Sequence, residues 1–420
     1  MNVNAVTAAD GAALYAERMK RVMDAVELRR PDRAPTVFFN TFWIARYGGI
    51  SYRQAMYDYD RVCQLVRQAV IELQPDLFAL PHQITLLGPI MDRLGFRQLQ
   101  WPGHGTDENT GYQYLDKEYM KPEEYEEYLL DPTGFFLSKY LPRVSEAFEG
   151  LAELPMFPAL YYIRLLVGIR SFASPAVAKS FAALREAAEE AQRLTIHSIE
   201  FAKEMAALGF PLAHGVGSIA PFDFFGDYLR GSKGIMLDMF RRKDELLAAM
   251  ERALYFIQTA AIAGGKLVPS KFVFIPIHWG CDAFMSLAQF KTFYWPTLRK
   301  LMIALIDKGL IPVPLWEADC TSRLETIADI PRGKAVYWFE RTDLVRAKEV
   351  LGDVVCLRGN VPTSLMVTGT PGEVDAYCRR LIEKVGRDGG LIIDAACGIP
   401  DESRPENVRA MFEAARKYSA

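Results

Sequence analysis

Side chains that can transfer protons or bind metals follow short apolar runs in the last quarter of the sequence, between residues 311 and 411. Glu317 and Asp319 come after one run, Glu340 ends the next, and Cys397 follows the last. Carboxyl groups serve as general acids and bases, and carboxylates and thiolates are zinc ligands. A carboxylate at Glu317 is costly to bury without a partner, so we expect it to meet a substrate, a metal or a cation.

Several of these residues also have ordinary structural explanations. Asp319 could cap the helix that follows it, and Cys320 could be a small buried hydrophobic residue. His278 ends the most strand-like run of the chain and could be functional or structural. His82 could simply be a hydrogen-bonded loop histidine. The spacing of the acids and thiols is long-range, so by itself it indicates a zinc site only weakly.

Eight apolar runs alternate with helical segments along the chain, and each breaks into polar, Gly- or Pro-containing sequence at its end. Such runs are typical of parallel strands buried on both faces. We therefore predict an α/β fold, a single (β/α)8 TIM barrel over residues 1–420, with its active site at the carboxyl ends of the strands. The predicted strands are TVFFN, DLFAL, PLAHGVG, FVFIPIH, IPVPLWE, AVYWF, VVCLRG and GLIIDA.

The strand pattern lapses between about residues 85 and 203, where the sequence is largely helical. We predict a helical insertion that could cover the mouth of the barrel. An independent domain is the weaker alternative, because neither end of this segment is a flexible linker.

Composition excludes several classes of protein. A net charge of −3 gives no reason to expect nucleic acid or an anionic membrane as a partner, and no run reaches the roughly 18 apolar residues of a membrane span. The six cysteines include no CxxC pair, and the first residues lack the apolar core of a signal peptide. We expect reduced thiols and a cytoplasmic location.

Five sequence motifs resemble the uroporphyrinogen decarboxylase superfamily. They are APFDFFGDYLRG from Ala220, FIPIHWGCDAFMS from Phe274, FYWPTLRKLMIAL from Phe293, RGNVPTSLMVTGTPGEV from Arg358 and ACGIPDESRPENVRAM from Ala396. The resemblance covers about three quarters of the chain and is weakest in the insertion. It implies the single (β/α)8 barrel that the strand pattern predicts independently.

The sequence departs from true uroporphyrinogen decarboxylases at the residues that bind their substrate. Where that family has an RQAGRY-type motif, this chain reads NTFWIARYGG, which keeps Arg46 and Tyr47 but places Phe42 and Trp43 at the first basic position. The second strand ends in FALPHQ, without the family's aspartate. A substrate with many carboxylates needs cationic partners, so the departures argue against porphyrinogen decarboxylation.

The sequence is closest in pattern to the corrinoid-dependent methyltransferase branch of the superfamily. Cys397 in ACGIP matches that branch's last zinc ligand, whereas Glu317 and Asp319 stand where the branch has a His-x-Cys pair. The resemblance implies demethylation of a small methylated or methoxylated compound, with zinc bound here and a corrinoid on a partner protein as methyl acceptor. A harder ligand set favours an oxygen-bearing substrate, and a metal-free site with Glu317 or Asp319 as general acid is also open.

Two other functions remain open at this point. One is a decarboxylase of the same superfamily, with Arg46 and Arg358 holding a carboxylate substrate, and the other is a tetrapyrrole-binding module without catalysis. A homodimer is a candidate assembly. We assign catalytic roles to Glu317, Asp319 and His278, zinc ligation to Glu317, Asp319, Cys320 and Cys397, and substrate binding to Trp43, Arg46, Tyr47, His82, Tyr228, Trp316, Glu340 and Asn360.

Overall fold

The computed structural model describes residues 8–81, 85–154 and 161–418. Its strands are β1 (Val37–Phe38), β2 (Leu77–Phe78), β3 (Leu99–Pro102), β4 (Gly105–Thr106), β5 (Gln113–Tyr114), β6 (Val216–Gly217), β7 (Phe272–Ile277), β8 (Ile311–Trp316), β9 (Val336–Phe339), β10 (Cys356–Val361) and β11 (Leu391–Ala395). The eight predicted strands correspond to β1, β2 and β6 to β11. The first three are shorter than predicted.

The strands from the eight predicted runs pair in parallel. β6 to β11 form a six-stranded sheet in chain order, and β1 pairs with β2. Single parallel bridges, Thr36 to Ile393 and Phe78 to Leu212, join the pair to both edges of the larger sheet. The fold is therefore α/β with a strongly curved parallel sheet, and in the described ranges no continuous ladder closes it into a barrel.

Alternation along each strand separates an inner from an outer core. In β8, Ile311, Val313 and Leu315 pack in the inner cluster, whereas Trp316 packs in the outer cluster against the helices. Since successive strand residues face opposite sides, Glu317 is the next residue of the inner face. By the same alternation, Trp338 of β9 lies on the inner face, and so does Glu340 two residues later.

Helices cover the outer face of the sheet. Their bounds are α1 (Ala8–Val26), α2 (Trp43–Gly48), α3 (Tyr52–Tyr57), α4 (Tyr59–Leu73), α5 (Gly88–Leu94), α6 (Tyr125–Leu130), α7 (Pro132–Phe135), α8 (Leu141–Val144), α9 (Leu165–Arg170), α10 (Pro175–Ala207), α11 (Pro221–Asp223), α12 (Gly231–Arg241), α13 (Lys243–Gly265), α14 (Leu287–Gln289), α15 (Trp295–Ile306), α16 (Leu324–Ile327), α17 (Leu344–Leu351), α18 (Thr363–Thr368), α19 (Pro371–Lys384) and α20 (Pro405–Lys417). Segments of π-helix span Phe136–Tyr140, Phe224–Arg230 and Phe290–Tyr294.

Helix α1 covers the amino-terminal ends of the strands. Its Val22, Ala25 and Val26 pack into the inner core, and Arg21 forms a buried ion pair with Asp76, just before β2. Apolar side chains thus fill the amino-terminal end of the sheet, and the polar groups lie at the carboxyl-terminal ends of the strands.

The insertion is not helical throughout, which corrects the prediction for residues 85–203. Between α5 and α6 the chain forms a small sheet of β3, β4 and β5. Gly103 and Gly105 adopt positive φ angles in the turn between β3 and β4, a conformation that glycine adopts without strain. This part of the insertion packs on strand-end loops, since Tyr119 and Met120 donate backbone hydrogen bonds to the Leu229 carbonyl.

One described helix, α13, is long and apolar enough to cross a membrane by length and composition alone, with a mean hydropathy of 1.2 over its best window. A third of that window is buried in the protein. Leu246, Ala249, Met250, Ala253 and Leu254 form this buried face, so α13 packs as one of the helices that cover the sheet.

Candidate active site

Two acidic strand ends and a histidine meet on the inner face of the sheet. His278 follows β7 and Glu317 follows β8, and the His278 Nε2 atom lies 3.6 Å from Glu317 Oε1. Both side chains are about one-third exposed, at 35% and 33%. Their neighbour is Glu340 after β9, because paired parallel strands place their ends side by side. The predicted catalytic residues Glu317 and His278 are thus brought together.

Two aspartates from the chain after β6 hold the His278 loop. Asp227, in the π-helical segment, accepts hydrogen bonds from His278 Nδ1 at 2.6 Å and from Trp279 Nε1 at 2.7 Å. Asp223 is fully buried and accepts from the His278 backbone N–H and from the Tyr294 hydroxyl. The imidazole is therefore fixed through one nitrogen, with the other directed at Glu317.

This arrangement keeps the His278 ring protonated. Burial by itself would lower the pKa of His278, but the hydrogen bond to Asp227 and the charges of Asp223 and Glu317 raise that pKa to about 10. Burial and the nearby Asp227 charge raise the pKa of Asp223 to about 7. His278 is therefore an imidazolium at neutral pH.

The surroundings of Glu317 shift its ionisation. Burial raises the pKa of its carboxyl group, and the Glu340 and Asp227 carboxylates add to that effect against the charge of His278. Glu340 is held in place, because its Oε2 accepts from the Ala318 N–H at 2.6 Å. Ala318 has a φ of 58°, a left-handed conformation that is rare for a residue other than glycine.

Asn360 supports the site. The Asn360 amide nitrogen donates to the Thr342 carbonyl at 2.9 Å and to the Glu340 carbonyl at 3.4 Å, while its oxygen accepts from the Tyr377 hydroxyl. Because its side-chain groups are occupied and the residue is 5% exposed, Asn360 anchors the loop after β9. We correct its assignment from substrate binding to support of Glu340.

Cys397 lies exposed in the turn after β11. The adjoining Gly398 has a φ of 79°, and a Cβ there would meet Phe39, so the turn requires glycine. Crowding by surrounding protein, and then the charges of Glu317, Glu340 and Asp394, raise the pKa of the Cys397 thiol. Cys397 is consequently a protonated thiol whose pKa responds to the charges of Glu317 and Glu340.

Arg358 is committed to an internal ion pair. Its Nε donates to Asp394 Oδ2 at 2.9 Å, and its guanidinium lies 3.7 Å from the centre of the Trp338 ring. Both members of the pair are buried. Arg358 is therefore occupied inside the protein, which contradicts the alternative in which it holds a substrate carboxylate.

Two of the four predicted zinc ligands are engaged elsewhere. Asp319 Oδ1 accepts from the backbone and hydroxyl of Thr321, a local turn, and Cys320 is fully buried with its thiol against the Glu317 carbonyl. Burial also raises the pKa of Cys320. In the described part of the chain, three or more His, Cys, Asp or Glu side chains are nowhere grouped to hold a metal ion. The predicted zinc set does not fit this geometry, and Asp319 is not placed as a catalytic acid.

The predicted aromatic lining is mostly core. Trp43 is 1% exposed and donates through its indole N–H to the Ser403 carbonyl, and Trp316 is fully buried among outer-face aromatic rings. Both indoles therefore pack between sheet and helices, which corrects their assignment to substrate binding. Tyr47 donates to Glu72 on α4, and Arg46 is exposed on α2. His82 lies outside the described residues.

Tyr228 lines a cavity of about 630 Å³, whose described lining includes Phe274 and Pro276 of β7. It follows Asp227 in the chain, and Asp223, Asp227 and Tyr294 were missed among the predicted site residues. The sequence motif APFDFFGDYLRG contained the signal, because Asp223 and Asp227 are four residues apart in a helical stretch and project to one side.

The sequence matches a known enzyme family. The sequence profile of the family described as uroporphyrinogen decarboxylase (URO-D) matches residues 168–418, more than half of the chain, and the protein belongs to that family. The match begins near the end of the insertion and includes His278, Glu317, Glu340 and Cys397.

Two curated relatives share less than 30% identity with this chain. The chain is 28% identical to uroporphyrinogen decarboxylase of Chlorobium phaeovibrioides over 166 residues, 36% of this chain and 47% of that protein. It is 29% identical to the enzyme of Methylococcus capsulatus over 177 residues, 42% and 48% of the two chains. The matches thus span about half the length of these curated relatives.

A methyltransferase from Methanosarcina mazei has a similar fold. The two structures align with a TM-score of 0.64 over 95% of this chain and 98% of the other, at 15% identity. This similarity extends through the insertion, beyond the residues that the family profile matches.

Proposed function

We propose that this protein is a methyltransferase that demethylates a small methylated or methoxylated compound and passes the methyl group to a corrinoid on a partner protein. The observation that carries the proposal is Glu317, an acid of raised pKa beside the imidazolium of His278. The fold shared with a methyltransferase supports the same branch of the superfamily. We also propose that the eight parallel strands act as one (β/α)8 barrel.

The chain's own residues supply acid catalysis. Glu317 donates its proton to the substrate heteroatom as the bond from that atom to the methyl carbon breaks, so the electron pair leaves on a neutral group. The Glu317 carboxylate that remains is stabilised by His278, whose charge is maintained by Asp227. When bound, a corrinoid supplies the nucleophile that accepts the methyl group.

The strand-end side is accessible to a carrier protein. The one-third exposure of His278 and Glu317 supports docking of a partner that brings its own cofactor to the site. Zinc takes no part in the proposed steps, because Asp319 and Cys320 are bound elsewhere. Metal analysis of the purified protein checks the zinc prediction directly. Homodimer formation and a cytoplasmic location stay predictions.

Decarboxylation is the second candidate, since the curated relatives are uroporphyrinogen decarboxylases. Its weakness is the charge at the site, where Asp227, Glu317 and Glu340 are acidic and Arg358 is paired with Asp394. A substrate with several carboxylates would meet repulsion there. Formation of coproporphyrinogen from uroporphyrinogen by the purified protein would establish this function in place of methyl transfer.

The decisive experiment compares wild type with Glu317→Gln. Purified protein is mixed with free cob(I)alamin and a panel of methyl ethers and methylamines, and methyl transfer is followed by absorbance. We expect Glu317→Gln to be slower by about 10²–10⁴-fold, the usual contribution of a general acid. Glu325→Gln, an exposed glutamate that pairs with Arg346, is the matched control. Equal rates for wild type and Glu317→Gln would refute the proposal.

A further inference from the structure

An apolar cavity of about 300 Å³ lies between the insertion and α13. Its lining consists of apolar or aromatic side chains apart from one threonine, namely Tyr128, Pro132, Thr133, Phe136, Leu137, Phe224, Ala253, Phe256 and Ile257. Leu137 and Phe256 are 44% and 43% exposed, so they form its outer end. None of the described lining residues is charged, which indicates an apolar ligand.

The larger cavity, with Tyr228 in its wall, is lined by residues that adjoin the proposed site in the chain. Phe274 and Pro276 of β7 line it, and Pro276 lies two residues before His278 on the same face of that strand. Tyr228 adjoins Asp227, the hydrogen-bond partner of His278. Two of its lining residues, Tyr228 and Pro276, thus lie within two residues of Asp227 and His278 in the sequence.

The two cavities share a wall. Phe224 and Ile257 line both of them. The Phe224 ring stacks on Phe136 of the apolar cavity at 5.7 Å and meets Tyr228 of the larger one at 5.5 Å. The sheet also leaves room here, because pairing with β6 stops at Gly217 and Phe274 whereas β7 continues to Ile277.

We propose that the two cavities form one substrate channel, which takes an amphiphilic methylated compound with its methyl-bearing head at Glu317 and an alkyl or aryl body between α13 and the insertion. This inference rests on the proposed function and names the substrate class. Phe224 and Ile257 form the neck, and Leu137 and Phe256 contact the far end of the apolar body.

Binding of para-alkylanisoles, from methyl to hexyl, tests the channel without requiring turnover. Isothermal titration calorimetry on the intact chain gives the dissociation constants. We expect affinity to rise by roughly fourfold per added methylene until the channel is filled, because each buried methylene contributes about 0.8 kcal/mol.

Leu137→Glu places a charge in the apolar end and should weaken binding of the hexyl compound by about tenfold or more while leaving the methyl compound unchanged. Leu130→Glu is the matched control, since Leu130 is an exposed leucine, at 79%, outside the lining. Circular dichroism confirms that both variants fold.

Affinity that is independent of chain length, or equal losses in the two leucine variants, would overturn the channel. Length-dependent binding together with full activity of Glu317→Gln would refute the proposed acid and leave the channel standing. Active wild type with length-independent binding would refute the channel and leave the proposed acid standing.

Discussion

The His278 ring is held between two carboxylates, with Nδ1 donating to Asp227 at 2.6 Å and Nε2 at 3.6 Å from Glu317 Oε1. The contact on the Glu317 side is too long for a hydrogen bond, so the ring does not fix that carboxyl group. The closer contact on the Asp227 side fixes the ring and maintains its charge.

The first prediction concerns the pH dependence of methyl transfer. Because Glu317 must be protonated, the rate should fall as pH rises through its raised pKa. Glu340→Gln removes a like charge that raises the Glu317 pKa, while its amide oxygen can still accept from Ala318. We expect the alkaline limb of the rate profile to move to lower pH in Glu340→Gln. A limb that stays in place would contradict the assignment of the acid.

The second prediction is that Asp227→Asn lowers the pKa of His278 from about 10, because it removes a hydrogen-bonded negative charge. Imidazole chemical shifts in NMR spectra give the titration, with His278→Gln identifying the signal. Asp282→Asn is the control, since the Asp282 carboxylate binds Ser322. An unchanged His278 titration in Asp227→Asn would show that the aspartate does not maintain the charge.

Stability should follow the same ionisation. The folded-state pKa of His278 lies above the free value of about 6.5, so its contribution is complete below pH 6.5 or so and is lost as pH rises through about 10. Urea unfolding should show wild type losing its advantage over His278→Gln across that range. A constant difference between the two proteins would contradict the raised pKa.

Cys397 separates acid catalysis from zinc catalysis. With a protonated thiol and no metal, Cys397→Ser should retain methyl transfer within about tenfold, because a hydroxyl is close in size and polarity to a thiol. Loss of activity together with loss of bound zinc would show that Cys397 is a ligand after all. Metal content and rate are measured on the same preparations.

Arg358 and Asp394 should be a structural pair. Arg358→Met leaves the Asp394 carboxylate buried and unpaired, which we expect to cost about 3–5 kcal/mol in urea unfolding. Arg358→Met with Asp394→Leu removes both charges and should recover much of that loss. If the double variant is as unstable as the single one, the unpaired charge of Asp394 does not cause the loss of stability.

The apolar runs by themselves indicated the parallel strands, and once the inner face is known, strand position puts Glu317, Glu340 and Arg358 on it. A strand has a period of two, so sequence position sets the side of the sheet whatever packs around it. The family motifs likewise identified Cys397 and the loop that carries His278.

Only the tertiary structure decided which of these groups act together. Asp223 and Asp227 lie about fifty residues before His278, and packing of the π-helical segment against the loop after β7 brings them into contact. Trp43 and Trp316 are aromatic residues of the kind that line substrate pockets, but both are buried in the outer core. Asp319 is a residue type that binds metals, but its Oδ1 accepts a hydrogen bond from Thr321, two residues further along the chain. Such a local contact costs less chain entropy than a contact between distant residues.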